Sequence, residues 1–152
     1  MLDARDTSMI DLIVSDSKLR PDLFCWFGAI PSSEIAKWEN DQSVSVPDDI
    51  KQLWAIKGGG DLFESETLLQ PSGSSQDNLV LPRSRWFWEK GLDRDHYVFH
   101  EGLYISTFRA SSPGLCSLGC AHFDLISTFR SLDEWYLLLR AEYSGRYGLQ
   151  QH

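Results

Sequence analysis

The sequence predicts an α+β fold: a single domain in which an antiparallel or mixed β-sheet is flanked by helices. Three observations carry this expectation. Amphipathic runs with helical spacing fill residues 8–57. Runs rich in β-branched and aromatic residues, broken by turn residues, fill residues 96–129. One further helical run with a capping signal follows Ser131. Elements segregated in this way favour an antiparallel sheet over alternating βαβ units. A chain of 152 residues suits one domain, and no internal repeat or long linker divides it.

Each element has its own reason. In residues 8–19, Ile10, Ile13 and Val14 fall on one helical face, and Pro21 follows the end. The aromatic stretch DLFCWFGAIP brings Phe24, Trp26 and Phe27 onto the core as a loop or short helix. SSEIAKWEN, residues 32–40, reads as a helix with Ile35 and Trp38 on one face and Ser32 or Ser33 as its cap. In SVSVPDDIKQLWAIKGGG, Pro47 suits a first helical turn, because the N–H it lacks would be unpaired there. Asp48 and Asp49 lie at the positive end of that helix dipole and Lys57 at the negative end. Ile50, Leu53 and Trp54 form its apolar stripe, and Gly58 suits the left-handed residue that closes it.

Residues 71–79 read as a polar loop. SRWFWEKGLDRD follows, with aromatic side chains between charges: as a strand it would set Trp86 and Trp88 on one face and Phe87 on the other, and the alternative is that all three rings pack under a loop. HYVFHEGLYISTF gives two strands joined near Glu101-Gly102, and GLCSLGCAHFDLISTF one or two more, with a bend at Gly119. Ser131 and Glu134 open a final helix from Leu132 to about Tyr143, whose buried face is Leu132, Trp135, Tyr136, Leu139 and Tyr143. The tail after it reads as frayed.

Charge narrows the partners. The net charge is −8, and residues 1–70 hold 13 acidic against 6 basic residues, whereas residues 71–152 hold 9 against 8. An acidic surface repels nucleic-acid backbones and anionic membranes and attracts basic partners. No apolar run reaches the length a bilayer span needs. Asp3, Asp6 and Asp11 surround the N-terminal apolar cluster where a secretory signal would carry basic residues, so a cytoplasmic protein is expected. The odd set Cys25, Cys116 and Cys120 fits a reducing compartment.

The motifs for chemistry are weak. Gly58, Gly59 and Gly60 follow a helix, whereas a phosphate loop places its glycines before one, and the acids behind them repel phosphate. His96 and His100 lie on a strand, about 13 Å apart, too far to share a zinc ion. Cys116, Cys120 and His122 match no strong zinc spacing. Cys120 and His122 would share one face of a strand, so a Cys–His pair is conceivable, but nothing marks an orienting group or an oxyanion site. No metal, no cofactor and no catalytic role are expected. The features left unexplained are acidic and aromatic. Asp61, Glu64, Glu66, Trp86, Trp88, Asp93 and Asp95 are the candidate partner-binding residues.

SVPDDIKQLWAIKGGGDLF resembles the signature of the SUKH superfamily, in which a Pro-acidic-Ile/Tyr-Lys run opens a helix that ends at a Gly-Gly turn. SSEIAKWEN resembles the helix before it, GLYISTF the strand after the turn, and TFRSLDEWYLLL the closing helix. The resemblance spans about residues 32–143 in order, with 1–31 as an N-terminal helical extension. It departs from the family at Val46, where Leu is usual, and at Lys57, where Asn often precedes the glycines. It implies an α+β domain in which Pro47, Gly58 and Gly59 are structural. It also implies an immunity protein that binds and blocks a bacterial toxin domain, such as a nuclease with a basic surface. The alternative it implies is an intracellular regulatory scaffold, as in fungal members. Neither role is catalytic.

Overall fold

The computed structural model describes residues 10–149. Residues 8 and 9 of the first expected helix, Asp3 and Asp6, and the end of the tail lie outside them.

The fold is α+β. Among the described residues, five helices accompany a seven-stranded sheet. The helices are α1 (Asp11–Leu19), α2 (Ser32–Gln42), α3 (Asp48–Ile56), α4 (Val80–Glu89) and α5 (Leu132–Tyr147). The strands are β1 (Phe24–Trp26), β2 (Gly60–Leu62), β3 (Glu66–Leu68), β4 (His96–Glu101), β5 (Ile105–Arg109), β6 (Leu115–Leu118) and β7 (Leu125–Phe129). Every strand pairs antiparallel with the next in sequence, so the sheet is a simple meander. No helix among the described residues is long and apolar enough to cross a membrane.

The first helices follow their apolar stripes. Ile13 of α1, Ile35 of α2, and Ile50, Leu53 and Trp54 of α3 are buried. Pro47 is not inside the first turn of α3. It stands at the N-cap, with ψ of 140°, and its carbonyl accepts the N–H of Lys51 at 3.1 Å. Pro31 holds the same position before α2, so Ser32 and Ser33 are the first helical residues rather than caps. Gly58 closes α3 with φ of +77°. A Cβ there would lie 2.0 Å from the Gly28 carbonyl oxygen, and one on Gly59 would lie 2.3 Å from that of Leu68. These glycines let the chain turn from α3 against two other backbone segments and into β2.

Three local expectations change. DLFCWFGAIP is not a loop or helix throughout: after a single turn at Pro21–Leu23 it forms β1, the edge partner of β2. Residues 80–89 are helical, so Trp86 and Trp88 do not share a strand face. Strands β1 to β3 precede α4, so helices and strands are interleaved rather than segregated.

Helix α5 closes the core. Leu132, Trp135, Tyr136, Leu139 and Tyr143 are buried, as its periodicity predicts. It runs on to Tyr147, and Gly148 ends it at φ of +65°. Half of the expected capping box forms: Ser131 Oγ accepts the N–H of Glu134 at 3.2 Å, while the Glu134 carboxylate reaches the N–H of Arg130 at 2.8 Å. Helix α1 packs on α5 through a buried cluster, in which Asp16 accepts from Arg140 Nε and Tyr136 Oη, both at 2.6 Å. A bulge in β4 between Val98 and His100 lets the consecutive residues Phe99 and His100 both meet the Trp135 ring, at 5.3 and 5.0 Å.

Candidate functional site

The acidic run after the glycines becomes the β2–β3 hairpin, and its three acids meet three fates. Asp61, half-buried on β2, accepts the Thr67 hydroxyl at 2.8 Å. Glu64 stands on the three-residue tip, with its side chain 71% exposed. Its partners are the Tyr147 hydroxyl at 2.9 Å and Arg146 at 3.6 Å. Phe63 and Glu64 both take positive φ, +53° and +72°. For non-glycine residues that conformation is costly. Phe63 is held by burial among Phe24, Tyr136, Tyr143 and Tyr147. Glu64 has no comparable packing.

Glu66 corrects its assignment to a partner surface: it is 1% exposed. Its carboxylate accepts from His100 Nε2 at 2.7 Å, from the Tyr143 hydroxyl and from the N–H of Leu103 at 3.1 Å. Burial pushes its pKa up, but these hydrogen bonds outweigh burial and hold it below the usual carboxylate range. A charge alone reads as solvated, whereas this one is buried because it is paired.

His100 Nδ1 in turn lies 2.9 Å from Ser106 Oγ, so Ser106, His100 and Glu66 line up as a hydrolytic relay would. The surroundings argue against that use. Ser106 is fully buried, its Oγ accepts the Trp135 indole N–H at 2.7 Å, and Ser117 Oγ lies 2.9 Å away. With those partners the hydroxyl faces protein on every side, and no acyl group can approach it. The line is a cross-brace joining β3, β4, β5, β6 and α5. Beside it, the buried hydroxyl of Tyr104 has no hydrogen-bond partner among the described residues.

The other four candidates lie elsewhere. Two residues of a helix turn by about 200°, so α4 sends Trp86 and Trp88 to different faces. Trp88 turns inward: its indole N–H donates to the His96 carbonyl at 2.8 Å, and its ring meets Tyr97 edge-on at 5.4 Å. Trp86 is 44% exposed, and its ring lies under Arg83 at 4.9 Å and Lys90 at 5.1 Å. Its neighbourhood is cationic, not acidic. Asp93 is exposed and accepts the N–H of Asp95 at 2.9 Å. Asp95 braces the turn after β5, accepting from Ser111 and from Arg109 Nε at 2.9 Å. The Ser111 hydroxyl, opposed by partial desolvation and aided by Arg109, holds its carboxyl below the usual range. Asp95 adjoins the start of β4 and the hairpin pairs with its far end, about 17 Å away at roughly 3.3 Å per residue. The seven candidates therefore form no single surface.

One open cleft, ≈ 850 Å³, lies against β5, β6 and β7, lined by His96, Arg109, Cys116, Thr128, Arg130 and Glu134 among others. Spacing in the sequence paired cysteines with His122; the sheet register instead brings Cys116 to His96. Cys116 Sγ lies 3.7 Å from His96 Nδ1, and Thr107 Oγ1 is closer to that nitrogen, at 2.6 Å. Burial pushes the Cys116 thiol up and, with Arg109, the His96 imidazole down, so both are neutral near pH 7. A protonated thiol beside an imidazole already bonded to Thr107 is a poor nucleophile. Cys120 and His122 are exposed on the turn between β6 and β7, not on a strand as expected. Among the described residues no group of three or more His, Cys, Asp or Glu side chains is placed to hold a metal ion.

What local sequence could not reveal are pairings made by register. Thr107 opposite Cys116 and Arg109 opposite His96 follow only once the hairpins are aligned.

No protein-family model matches the sequence, and no curated protein matches it.

Proposed function

We propose that this chain is a non-catalytic immunity protein of the SUKH type, which binds and blocks a bacterial toxin domain, and that the β2–β3 tip is its acidic contact. The reading rests on the ordered resemblance over residues 32–143. The observation that supports the contact is Glu64. It is a largely exposed carboxylate held at φ of +72°, where glycine would relieve the backbone, in a protein of net charge −8. Backbone strain that packing does not explain is a pointer to function. A basic cleft on a toxin would meet Glu64 first, with Asp61 behind it on the same hairpin.

The test is co-expression with any toxin domain whose gene proves to adjoin this one. Growth should be rescued by the wild-type protein and weakened by Glu64→Lys with no loss of stability. Equal killing with and without the protein would sink the immunity reading. Full rescue by Glu64→Lys would move the contact elsewhere.

A further inference from the structure

Trp86 and Trp88 are expected on an acidic partner surface, whereas the structure sets Trp86 among cations. Residues 83–94 hold four basic residues, Arg83, Arg85, Lys90 and Arg94, against the acids Glu89 and Asp93, in a chain of net charge −8. Arg83, Trp86 and Lys90 are spaced i, i+3 and i+7, which sets them in one line along two helical turns, about 10 Å. The line is physical: the Arg83 guanidinium lies 4.9 Å and the Lys90 ammonium 5.1 Å from the Trp86 ring centroid. Arg94, beyond the end of α4, is not part of this line: it lies over Trp88, at 5.6 Å.

These cations differ in how far they are committed. Arg83 is spoken for, donating through two nitrogens to the Glu101 carboxylate at 2.9 and 2.8 Å. Arg85, Lys90 and Arg94 are exposed, and among the described residues none of them makes a salt bridge. Trp86 is the one large aromatic side chain among the exposed hydrophobics of the described residues. Of the three cations, Lys90 lies on the exposed indole and Arg85 precedes it on the helix, a local excess of positive charge in a chain of net charge −8. Trp and Arg together are the residues most enriched at the energetic centres of protein interfaces.

We infer that the exposed face of Trp86, with Arg85 beside it on α4 and Lys90 at the helix end, is a docking surface for an acidic segment of a protein partner. It is independent of the β2–β3 tip and opposite to it in charge. Carboxylates of the segment pair with Arg85 and Lys90, and an apolar side chain covers the exposed part of Trp86. Arg83 and Lys90 hold that indole in place, so little side-chain freedom remains to be lost on binding. A nucleic acid also presents negative charge and stacking rings, but its extended backbone meets the repulsion of the whole acidic chain. A short acidic peptide meets only the local field.

The experiment uses the full chain and a fluorescein-labelled peptide alternating Glu and Phe, with a Lys-and-Phe peptide and a short DNA duplex as the other arms. Fluorescence anisotropy should show saturable binding of the acidic peptide that weakens as salt is raised. Trp86→Ala should weaken it several-fold, and the double variant Arg85→Glu, Lys90→Glu at least tenfold. The double variant should keep the wild-type melting temperature, since both side chains are exposed, whereas Trp86→Ala, which loses the edge contact with Phe87 at 4.9 Å, should melt lower but remain folded. Glu64→Lys should leave the peptide affinity unchanged, which separates this surface from the toxin contact. Unchanged binding in the double variant, equal binding of the Lys peptide, or tighter binding of the duplex would each overturn the proposal.

Discussion

Asp49 Oδ2 accepts the backbone N–H of Leu132 at 2.6 Å, so a carboxylate at the start of α3 satisfies the start of α5, 83 residues away. It also accepts the N–H of Ile50 at 2.9 Å. Asp49→Ala leaves a buried N–H unpaired and should destabilise the fold by about 2 kcal/mol. Urea unfolding measures this, and a loss within the error of the midpoint would mean that the N–H finds another partner.

The pH dependence separates two buried acids. Desolvation raises the pKa of Asp49 against the pull of its backbone donors, whereas hydrogen bonds lower that of Glu66. A raised folded pKa gives stability that is full below the ordinary carboxylate value and is lost as pH rises through the folded one. A lowered pKa gives stability that is present above the ordinary value and is lost as pH falls through the folded one. Asp49→Asn, which cannot ionise, should therefore gain on the wild type as pH rises from about 4 to about 7. Glu66→Gln should carry an almost constant deficit from neutral pH down to about pH 4, and the deficit should shrink only as pH falls further, through the lowered folded value. An Asp49→Asn curve parallel to wild type from about pH 4 to about 7, or a Glu66→Gln deficit unchanged well below about pH 4, would refute the corresponding assignment.

Gly59 has no room for a side chain. Gly59→Ala would drive a Cβ to 2.3 Å from the Leu68 carbonyl oxygen, and the strand cannot yield without breaking the β2–β3 ladder. The expected loss is about 3 kcal/mol, in the range of severe backbone and packing defects. A thermal melt within a degree or two of wild type would contradict the close approach.

Tyr104 offers a gain. A buried hydroxyl with no partner costs about 1–3 kcal/mol, so Tyr104→Phe should stabilise the protein by about 1 kcal/mol. Differential scanning calorimetry should show a higher melting temperature, and a lower one would show that the hydroxyl is satisfied.

Glu64 should trade stability for recognition. Glu64→Gly removes the left-handed strain at φ of +72° and should raise stability by about 1 kcal/mol while weakening toxin neutralisation. A stabilised variant that neutralises as well as wild type would remove the functional account of the strain.

The legible parts of this fold were those with their own periodicity. The stripes of α3 and α5, the strands β4 and β5, and the closing role of Gly58 follow from spacing within a few turns. Helix α4 was missed because its buried positions are Val80, Ser84 and Phe87, and the serine interrupts the apolar period. Alternating Trp86 and Trp88 then mimicked a strand. Strand β1 spans Phe24–Trp26, too short for any periodicity to register. Glu66 read as a surface charge because His100 and Tyr143 lie 34 and 77 residues away. Partners at such separations are set by the register of the sheet and the docking of α5, which no local window contains.

The strand order has a kinetic corollary. Four of the six pairings, β2–β3, β4–β5, β5–β6 and β6–β7, join strands through short turns and can form hairpin by hairpin at low entropic cost, whereas β1–β2 and β3–β4 must close over intervening helices. Among the described residues, the hydrogen bonds of greatest sequence separation tie α1 and the residue after it to α5, Arg20 to Tyr147 across 127 residues and Asp16 to Arg140 across 124. Contacts that form after the folding barrier slow unfolding without speeding folding. The Asp16–Arg140 clasp thus belongs to the lifetime of the native state more than to the rate at which it is reached.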